Sequence, residues 1–468
     1  MCLALPARVV SIDADNAMAT VLLGEVKKSI SLALVDDVQV DDFVLIHVGY
    51  ALNRISDRGG RAHPGAVRRS RPDSGITGMK YVDEFRRHDL ARQLSAAIEQ
   101  AVEPQREYRL MEFCGGHTHA IFRYGVQDLM PSNIRFVHGP GCPVCVLPVG
   151  RIDNVIQLVE EQDVILCSYG DMLRVPGSGR KSLLKVKAAG GDVRMVYSTL
   201  DALKIARDNP DRQVVFFAIG FETTTPPTAV AIRQAQAEGL GNFSVFCNHV
   251  LTPPAIKRIL DAPEQDAGGS VAIEGFFGPS HISSVIGSLP YEYSTKKYHK
   301  PVVIAGFEPL DIMQSTLMLV RQLNAGRAEV ENEYTRVVSR EGNRKAQALM
   351  DEVLELRPTF EWRGLGMIPA SALRIRERYA AFDAEKRFDM PATQASDVRG
   401  CECPRILRGI KIPTVRGIKI PTDCKLFGTV CTPENPMGSC MVSSEGACSA
   451  YWSYGRFRQH QGTGETAA

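Results

Sequence analysis

The 468-residue chain contains no apolar run of membrane length: its longest, Val214–Gly220 (VVFFAIG), is far short of the ~20 residues that a spanning helix needs. Its opening, MCLALPARVV, lacks the basic region leading into a long apolar stretch that is expected of a secretion signal. An excess of either charge is missing too. With 55 Lys+Arg against 53 Asp+Glu the formal charge is only +2, which leaves no global field to recruit nucleic acid or an anionic membrane. Partners must then be recognised locally. Disorder is excluded by an ordinary 44% hydrophobic content, and the length accommodates two to four domains. These absences together read as a cytoplasmic globular protein. In a reducing cytosol its twelve cysteines are better explained by metal binding or redox chemistry than by structural disulfides.

Half of those cysteines, Cys401, Cys403, Cys424, Cys431, Cys440 and Cys448, fall within residues 401–448 among glycines and prolines. Packing needs few thiols, whereas soft thiolates are the ligands that iron–sulfur clusters and zinc prefer. This stretch has no paired C-x2-C knuckles of the zinc-finger kind, which puts a zinc-stabilised binding protein behind an iron–sulfur region.

Along the chain, residues 1–55 read as short strands broken by turn residues (LPARVVSID, MATVLLG, VKKSISLALV, DFVLIHVGYAL), the rhythm of a small OB-like barrel. Residues 56–78, rich in Arg, Gly, Pro and Ser without interleaved aromatics, read as a flexible linker rather than a nucleic-acid patch. From 79 to 395 strands and helices alternate. A helix is predicted over 82–101, and eight apolar runs end at Cys114, Gly139, Ser168, Ser198, Gly220, Asn248, Phe277 and Phe307. That pattern predicts α/β architecture with parallel sheets, divided into two domains. Residues 396–468 form the cysteine-rich region. Within it RGIKIPT occurs at 408–414 and again at 416–422, a local duplication.

The chemistry-bearing residues fall at predicted strand ends, where open α/β sheets gather ligands. Cys114-Gly-Gly-His117-Thr-His119 follows the first run; its glycines allow close backbone approach, and a thiol beside imidazoles binds a transition metal or has its acidity altered. Against this stands a buried cysteine at a glycine turn. His138-Gly-Pro-Gly-Cys142-Pro-Val-Cys145 carries a C-x-x-C without the Trp-Cys-Gly-Pro-Cys form of thioredoxins. Should these two loops leave neighbouring parallel strands, Cys114, Cys142 and Cys145 would converge as thiolate ligands with an open position. Gly220-Phe-Glu222-Thr-Thr-Thr-Pro-Pro opens a helix; its threonine hydroxyls and free helix amides suit an anion or a peptide carboxylate, and Glu222 is either a proton carrier or part of an ordinary helix start. His249 and His281 are expected to be structural. Cys2, once Met1 is removed, offers a thiolate and an α-amino group, and His47 is a barrel-rim histidine unless it lies beside Cys2.

Taken together these motifs resemble a known pair of families. Residues 1–52, with MCLALPARVV and HVGYAL, are similar to the hydrogenase maturation chaperone HypC. Residues 79–457, with MKYVDEFR, CGGHTHAIFRYG, GPGCPVCVLP, GFETTTPPTA, FGPSHISSVIG, GFEPLDIMQ and the cysteine-rich DCKLFGTVCTPENPMGSCMVSSEGACSAY, resemble its partner HypD. The resemblance implies a natural fusion that serves NiFe-hydrogenase maturation as a metallocentre assembly scaffold with redox activity. It implies that an iron atom acquires two cyanides and one carbon monoxide here, with cyanide arriving as a thiocyanate on HypE, charged by HypF. The iron unit then passes to the hydrogenase large subunit, and free HypC is a further possible partner. Iron ligands carried over are Cys2, with His47 close by, and Cys114, Cys142 and Cys145; a 4Fe-4S cluster is assigned to Cys403, Cys424, Cys431 and Cys440, with Cys401 and Cys448 as alternates. His117 and Glu222 join the three thiols as reactive-site residues. The chain departs from the pattern in the duplication, which lengthens the Cys403–Cys424 separation by eight residues, and in the barrel's final helix, which is lost into the linker. A ferredoxin-linked thiol/disulfide oxidoreductase is the alternative function.

Overall fold

A computed structural model describes residues 5–56, 80–261, 273–390, 395, 397–407 and 419–455. Cys2, the 56–78 segment beyond Ser56 and most of the RGIKIPT duplication lie outside the described residues.

Five strands, β1 (Leu5–Asp13), β2 (Met18–Leu23), β3 (Val26–Ser31), β4 (Phe43–His47) and β5 (Tyr50–Arg54), close into a barrel in the order β1-β2-β3-β5-β4. Its neighbours are antiparallel except β3 and β5, which meet in parallel at Ser31 and Tyr50. Alternation along the strands turns Ala7, Val9, Ala19, Val21, Ile30 and Val44 into a small core of its own.

Nine further strands follow: β6 (Tyr108–Glu112), β7 (Ile134–His138), β8 (Val164–Ser168), β9 (Val193–Met195), β10 (Gln213–Gly220), β11 (Phe243–His249), β12 (Gly275–Gly278), β13 (Val302–Ile304) and β14 (Val330–Asn332). All pair in parallel, in two sheets ordered β14-β13-β12-β6-β7 and β11-β10-β8-β9. The eight apolar runs are thus strands, and they form two sheets as expected. Their division is nested: the chain leaves the first sheet after β7, builds the whole second sheet, and returns at β12 beside β6. β10 is buried along nearly its entire length, as a central parallel strand covered on both faces must be.

The predicted 82–101 helix starts later, at His88, after a 3-10 turn at Asp83–Phe85. Arg87 has an extended backbone and marks the helix start, and the Arg86 guanidinium before it pairs with Glu308, 2.9 Å from Nη2 to Oε1. Beyond β14 come a helix (Arg344–Val353), two short antiparallel ribbons and the cysteine-rich segment, which has little regular structure. No helix among the described residues is long and apolar enough to cross a membrane.

The barrel does not stand apart. Leu34, Leu45, Tyr50, Leu52 and Ile55 belong to the same apolar cluster as the second sheet, and Tyr50 hydroxyl meets Thr199 Oγ1 at 2.9 Å. Asn343 Nδ2 donates to the carbonyls of Leu34 and Leu52, each at 2.8 Å, and Asn53 Nδ2 donates to Ser284 O at 2.8 Å. Gly49, at φ +86°, lets the chain turn against Ser198; a Cβ there would lie 2.8 Å from the serine side chain.

Candidate functional site

β6 and β7 are parallel neighbours, Glu112 opposite His138, so the CGGHTH and GPGCPVC loops leave side by side. Gly115 N–H donates to Gly141 O at 2.9 Å, and Gly139 N–H to Glu112 O at 2.9 Å. A side chain at Gly141 would sit 2.5 Å from the Cys114 nitrogen. The anchor is Glu112, fully buried, whose carboxylate accepts from Cys114 N–H (2.9 Å), His138 Nδ1 (2.9 Å) and the Thr118 hydroxyl. One carboxylate therefore ties both loops together. The paired glycines of CGGH serve close packing against side chains: a Cβ at Gly115 would meet Glu445 at 2.3 Å, and one at Gly116 would meet Phe307 at 2.4 Å.

From this shared base the thiols divide. Cys114 borders a cavity of about 20 Å³, room for one molecule the size of water. Its walls come from the ends of both sheets: Gly141 after β7, Phe221 and Thr223 after β10, His281 after β12, and Glu445 from the cysteine-rich segment. Burial first, then the Glu445 carboxylate, holds the Cys114 thiol above its ordinary acidity range.

Cys142 and Cys145 turn instead toward the cysteine-rich segment, their sulfurs 2.6 Å apart. Ser439 Oγ donates to Cys145 O at 3.2 Å and receives Arg363 Nη1 at 2.7 Å, while Arg363 N–H donates to Val146 O at 2.7 Å. This lattice presses Cys440 onto Cys145. Hydrogen bonds from Cys145 and Cys403 stabilise the Cys440 thiolate and lower its pKa to about 6, although the group is fully buried. Cys145 moves the other way, pushed well up by burial and by its bonds to Cys142 and Cys440.

Cys403 is the hub, within hydrogen-bonding reach of Cys401, Cys440 and Cys448. Cys431 lies close enough to feel Cys403 and Cys401, whereas Cys424 turns its sulfur toward Gly400 O, 3.9 Å away. Among the described residues no three His, Cys, Asp or Glu side chains stand at metal-coordinating positions. The donor set nevertheless fits an iron–sulfur cluster. It is all sulfur, almost wholly buried, and bounded by Gly438, where a Cβ would lie 2.6 Å from Cys401 Sγ and 2.7 Å from Cys403 Sγ.

His117 is fully buried; its Nε2 faces Ala305 O (3.0 Å) and Gly306 O (3.1 Å), which fixes that nitrogen as the N–H and leaves Nδ1 as a lone pair without a partner among the described residues. Phe307 lies between His117 and His281 with its ring tilted to both, centroids at 5.1 and 4.0 Å. His281 in turn faces His47 across the seam to the barrel, at 5.7 Å. Neither nitrogen of His47 has a partner among the described residues, and burial lowers its pKa to about 3. His249 donates to or accepts from Thr228 Oγ1 at 2.9 Å, a packing role.

Glu222 does not cap the helix that follows it (Thr225–Glu238). Its carboxylate accepts from Thr252 N–H (2.9 Å) and Thr252 Oγ1 (3.2 Å), at the start of the next helix (Thr252–Leu260). Burial raises its pKa to about 7, so it exchanges a proton near neutrality.

The residues missed from the sequence are Glu112 and Glu445, while Thr223 lies inside the GFETTT motif and Phe307 reads only as the end of a strand run. Glu112 alone had a signal, a carboxylate inside an apolar strand (YRLMEF) just before the cysteine motif.

The HypD family model, described as the hydrogenase formation hypA family, matches residues 89–455, and the HupF/HypC family model matches residues 1–62. Hydrogenase maturation factor HypD2 of Bradyrhizobium diazoefficiens is 62% identical over 383 residues, 82% of this chain and 99% of its own length. HypD of Azotobacter vinelandii is 63% identical over 381 residues (81% and 98%), and HypD of Escherichia coli 44% over 381 residues (80% and 98%). A HypC-type barrel packed on the sheets of a nearly full-length HypD accounts for both matches: the chain belongs to the HypD family of hydrogenase maturation factors and carries a HupF/HypC-family domain at its N-terminal end.

Proposed function

We propose that this chain is the scaffold on which the Fe(CN)2CO unit of NiFe hydrogenases is built, with iron as its cargo. The observation that carries the reading is the division of thiols: Cys114 borders a small cavity whose His281 wall faces His47 of the barrel, while the Cys142/Cys145 pair abuts Cys440. The first arrangement sets one thiol apart to hold the cargo, and the second suits moving electrons. Iron is held by Cys114 together with Cys2, and His47 flanks it from the barrel; Cys142 and Cys145 complete the family's ligand set in any state that turns them toward Cys114. Freeing cyanide from a thiocyanate takes two electrons and leaves a thiolate on the donor. Oxidation of Cys142 and Cys145 to a disulfide supplies two electrons. A 4Fe-4S cluster, when bound, would store and pass single electrons that restore the pair.

Cys403, Cys431 and Cys440 are the natural cluster ligands. For the fourth, the position of Cys401 beside Cys403 and Gly438 speaks for it over Cys424 and Cys448. Glu222 would move a proton, and His117 would accept one at its bare Nδ1. HypE charged by HypF would deliver cyanide, the hydrogenase large subunit would receive the product, and free HypC would compete with the fused barrel.

The test is anaerobic purification with iron and acid-labile sulfide analysis and infrared spectroscopy. Cyanide and carbonyl stretching bands are expected, lost in Cys2→Ala and Cys114→Ala with the cluster spared. Full-strength bands in Cys2→Ala would reduce the barrel to a docking module. The contact between Cys142/Cys145 and Cys440 also suits a second reading, a ferredoxin-linked thiol/disulfide oxidoreductase; turnover of a protein disulfide without infrared bands would select it.

A further inference from the structure

Arg363 sits in the turn of the Thr359–Trp362/Gly366–Pro369 ribbon and is buried although its guanidinium always carries a charge. Two contacts put that turn against the cysteine-rich segment. Gly364, at φ +83°, comes so close to Pro404, the neighbour of Cys403, that a Cβ there would lie 2.9 Å from Pro404 Cα. Arg363 Nη1 donates to Ser439 Oγ at 2.7 Å, and the residue before that serine is Gly438, against which the sulfurs of Cys401 and Cys403 rest. On the other side, Arg363 N–H donates to Val146 O at 2.7 Å, and Ser439 Oγ donates to Cys145 O at 3.2 Å. Arg363 is thereby fastened between the two cysteine motifs.

Its charge is only partly cancelled. Nε and Nη2 pair with the Asp397 carboxylate, but the Arg363 side chain is 3% exposed and that of Asp397 26%. Solvent screens the acid more than the guanidinium, so the positive end of the pair prevails toward the interior, where its field reaches Cys403 and Cys401. A cluster held by four thiolates is an anion, and each electron it accepts makes it more negative. A buried cation beside its ligands stabilises the reduced form, because local charge and solvent exposure are among the levers by which a protein sets a cluster's potential.

We propose that Arg363 is a positioning residue for the redox chemistry: a fixed buried cation that raises the reduction potential of the cluster in the cysteine-rich segment, while its turn ties that segment to the Cys142/Cys145 loop. This deepens the assembly reading and rests on the cluster assigned there. Asp397 opposes Arg363, and their unequal burial decides which of the two prevails.

The experiment is a reductive titration of the full chain, isolated anaerobically as wild type, Arg363→Gln, Arg363→Lys and Asp397→Asn. Visible absorption and electron paramagnetic resonance follow the cluster, and iron and acid-labile sulfide are measured on the same samples. Arg363→Gln keeps a donor for Ser439 and loses the charge, so the midpoint potential is expected to move down. Arg363→Lys keeps the charge and should stay nearer wild type, while Asp397→Asn removes the opposing acid and should move the potential up. Potentials unmoved in Arg363→Gln and Asp397→Asn at full iron and sulfide overturn the inference and leave the assembly reading standing. Equal shifts in Arg363→Gln and Arg363→Lys would make the position structural and overturn it too. Should Arg363→Gln fail to fold or to load its cluster, Asp397→Asn decides: an upward shift supports the inference and an unmoved potential overturns it. A wild type without iron and sulfide overturns the cluster reading itself, and the inference with it.

Discussion

Asn343 tests whether the barrel is bolted to the α/β region or merely tethered. Its side chain does two separable jobs. Oδ1 accepts from Ala346 N–H at 2.9 Å, capping the Arg344–Val353 helix, while Nδ2 reaches across the seam to Leu34 O and Leu52 O at 2.8 Å each. Asn343→Ser retains a good helix cap and gives up the reach. Two hydrogen bonds to buried carbonyls are lost, each contributing about 0.5–1.5 kcal/mol, so docking weakens by about 1–3 kcal/mol, or roughly 5- to 150-fold. Covalent linkage keeps the barrel at an effective concentration of order mM, so the variant remains mostly docked and gross shape is insensitive. Amide hydrogen exchange is the appropriate assay. Ser56 N–H donates to Arg336 O across the seam at 3.0 Å and should exchange faster by the same factor, while amides inside the barrel, such as Val9 N–H to Asp42 O, keep their protection. Unchanged exchange at Ser56 would refute the claim that Asn343 holds the seam.

Glu112→Ala strands three donors in a buried site, and the urea midpoint should fall by the equivalent of about 3–5 kcal/mol; Glu112→Gln, which still accepts, should lose less. Glu222 has a folded pKa of about 7 against an ordinary 4.5, so its ionisation costs the folded state nothing below the ordinary value and about 3 kcal/mol above the raised one. Glu222→Gln should therefore raise the urea midpoint at pH 8 and leave it nearly unchanged at pH 4; a gain confined to acid pH would reverse the assignment. Cys431→Ala should bleach the broad visible absorption of the proposed cluster and leave the far-ultraviolet circular dichroism of the sheets in place; unchanged absorption and sulfide content would remove Cys431 from the ligand set. Deleting residues 415–422 shortens the loop between the proposed ligands Cys403 and Cys431 from 28 to 20 residues, worth only about 0.3 kcal/mol of closure entropy, so cluster content should hold; its loss would make the repeat a functional element.

What could be read from the sequence followed from local periodicity. The barrel strands alternate and the runs feeding β6–β13 are continuous, because the former bury one face and the latter two. β14 escaped because Val330-Glu-Asn is a short polar edge strand that pairs on one side only. The nesting of one sheet inside the other is set by the pairing of β12 with β6, a contact 165 residues apart in register terms (Gly275 with Leu110) that no local pattern announces. The cysteine motifs stood out by composition, and their loops do leave neighbouring strands. The separation of Cys114 from Cys142 and Cys145 could not be read, since it depends on Ser439 and Arg363 drawing Cys440 to one side and Glu445 filling the other.

That separation follows from where the loops start. Cys114 and Cys142 descend from adjacent strands fixed to one carboxylate, Glu112, so a shift of either loop is felt by the other. Yet each thiol completes its surroundings with a different partner: the cavity needs the second sheet's GFETTT turn and the Ser280–Ile286 helix, whereas the Cys142/Cys145 pair needs the cysteine-rich segment. The barrel touches the first assembly through His47 and His281, and the cysteine-rich segment touches both, through Glu445 and Cys440. A change in the charge or contact of the Cys142/Cys145 pair would therefore be transmitted to the cavity by two short physical routes, Glu112 on one side and the Cys440–Glu445 stretch on the other. Glu112→Gln weakens the first route without removing a thiol, so it should slow alkylation coupling between Cys145 and Cys114, measured as the effect of modifying one on the rate at the other; coupling that survives the substitution would place the connection in the cysteine-rich segment alone.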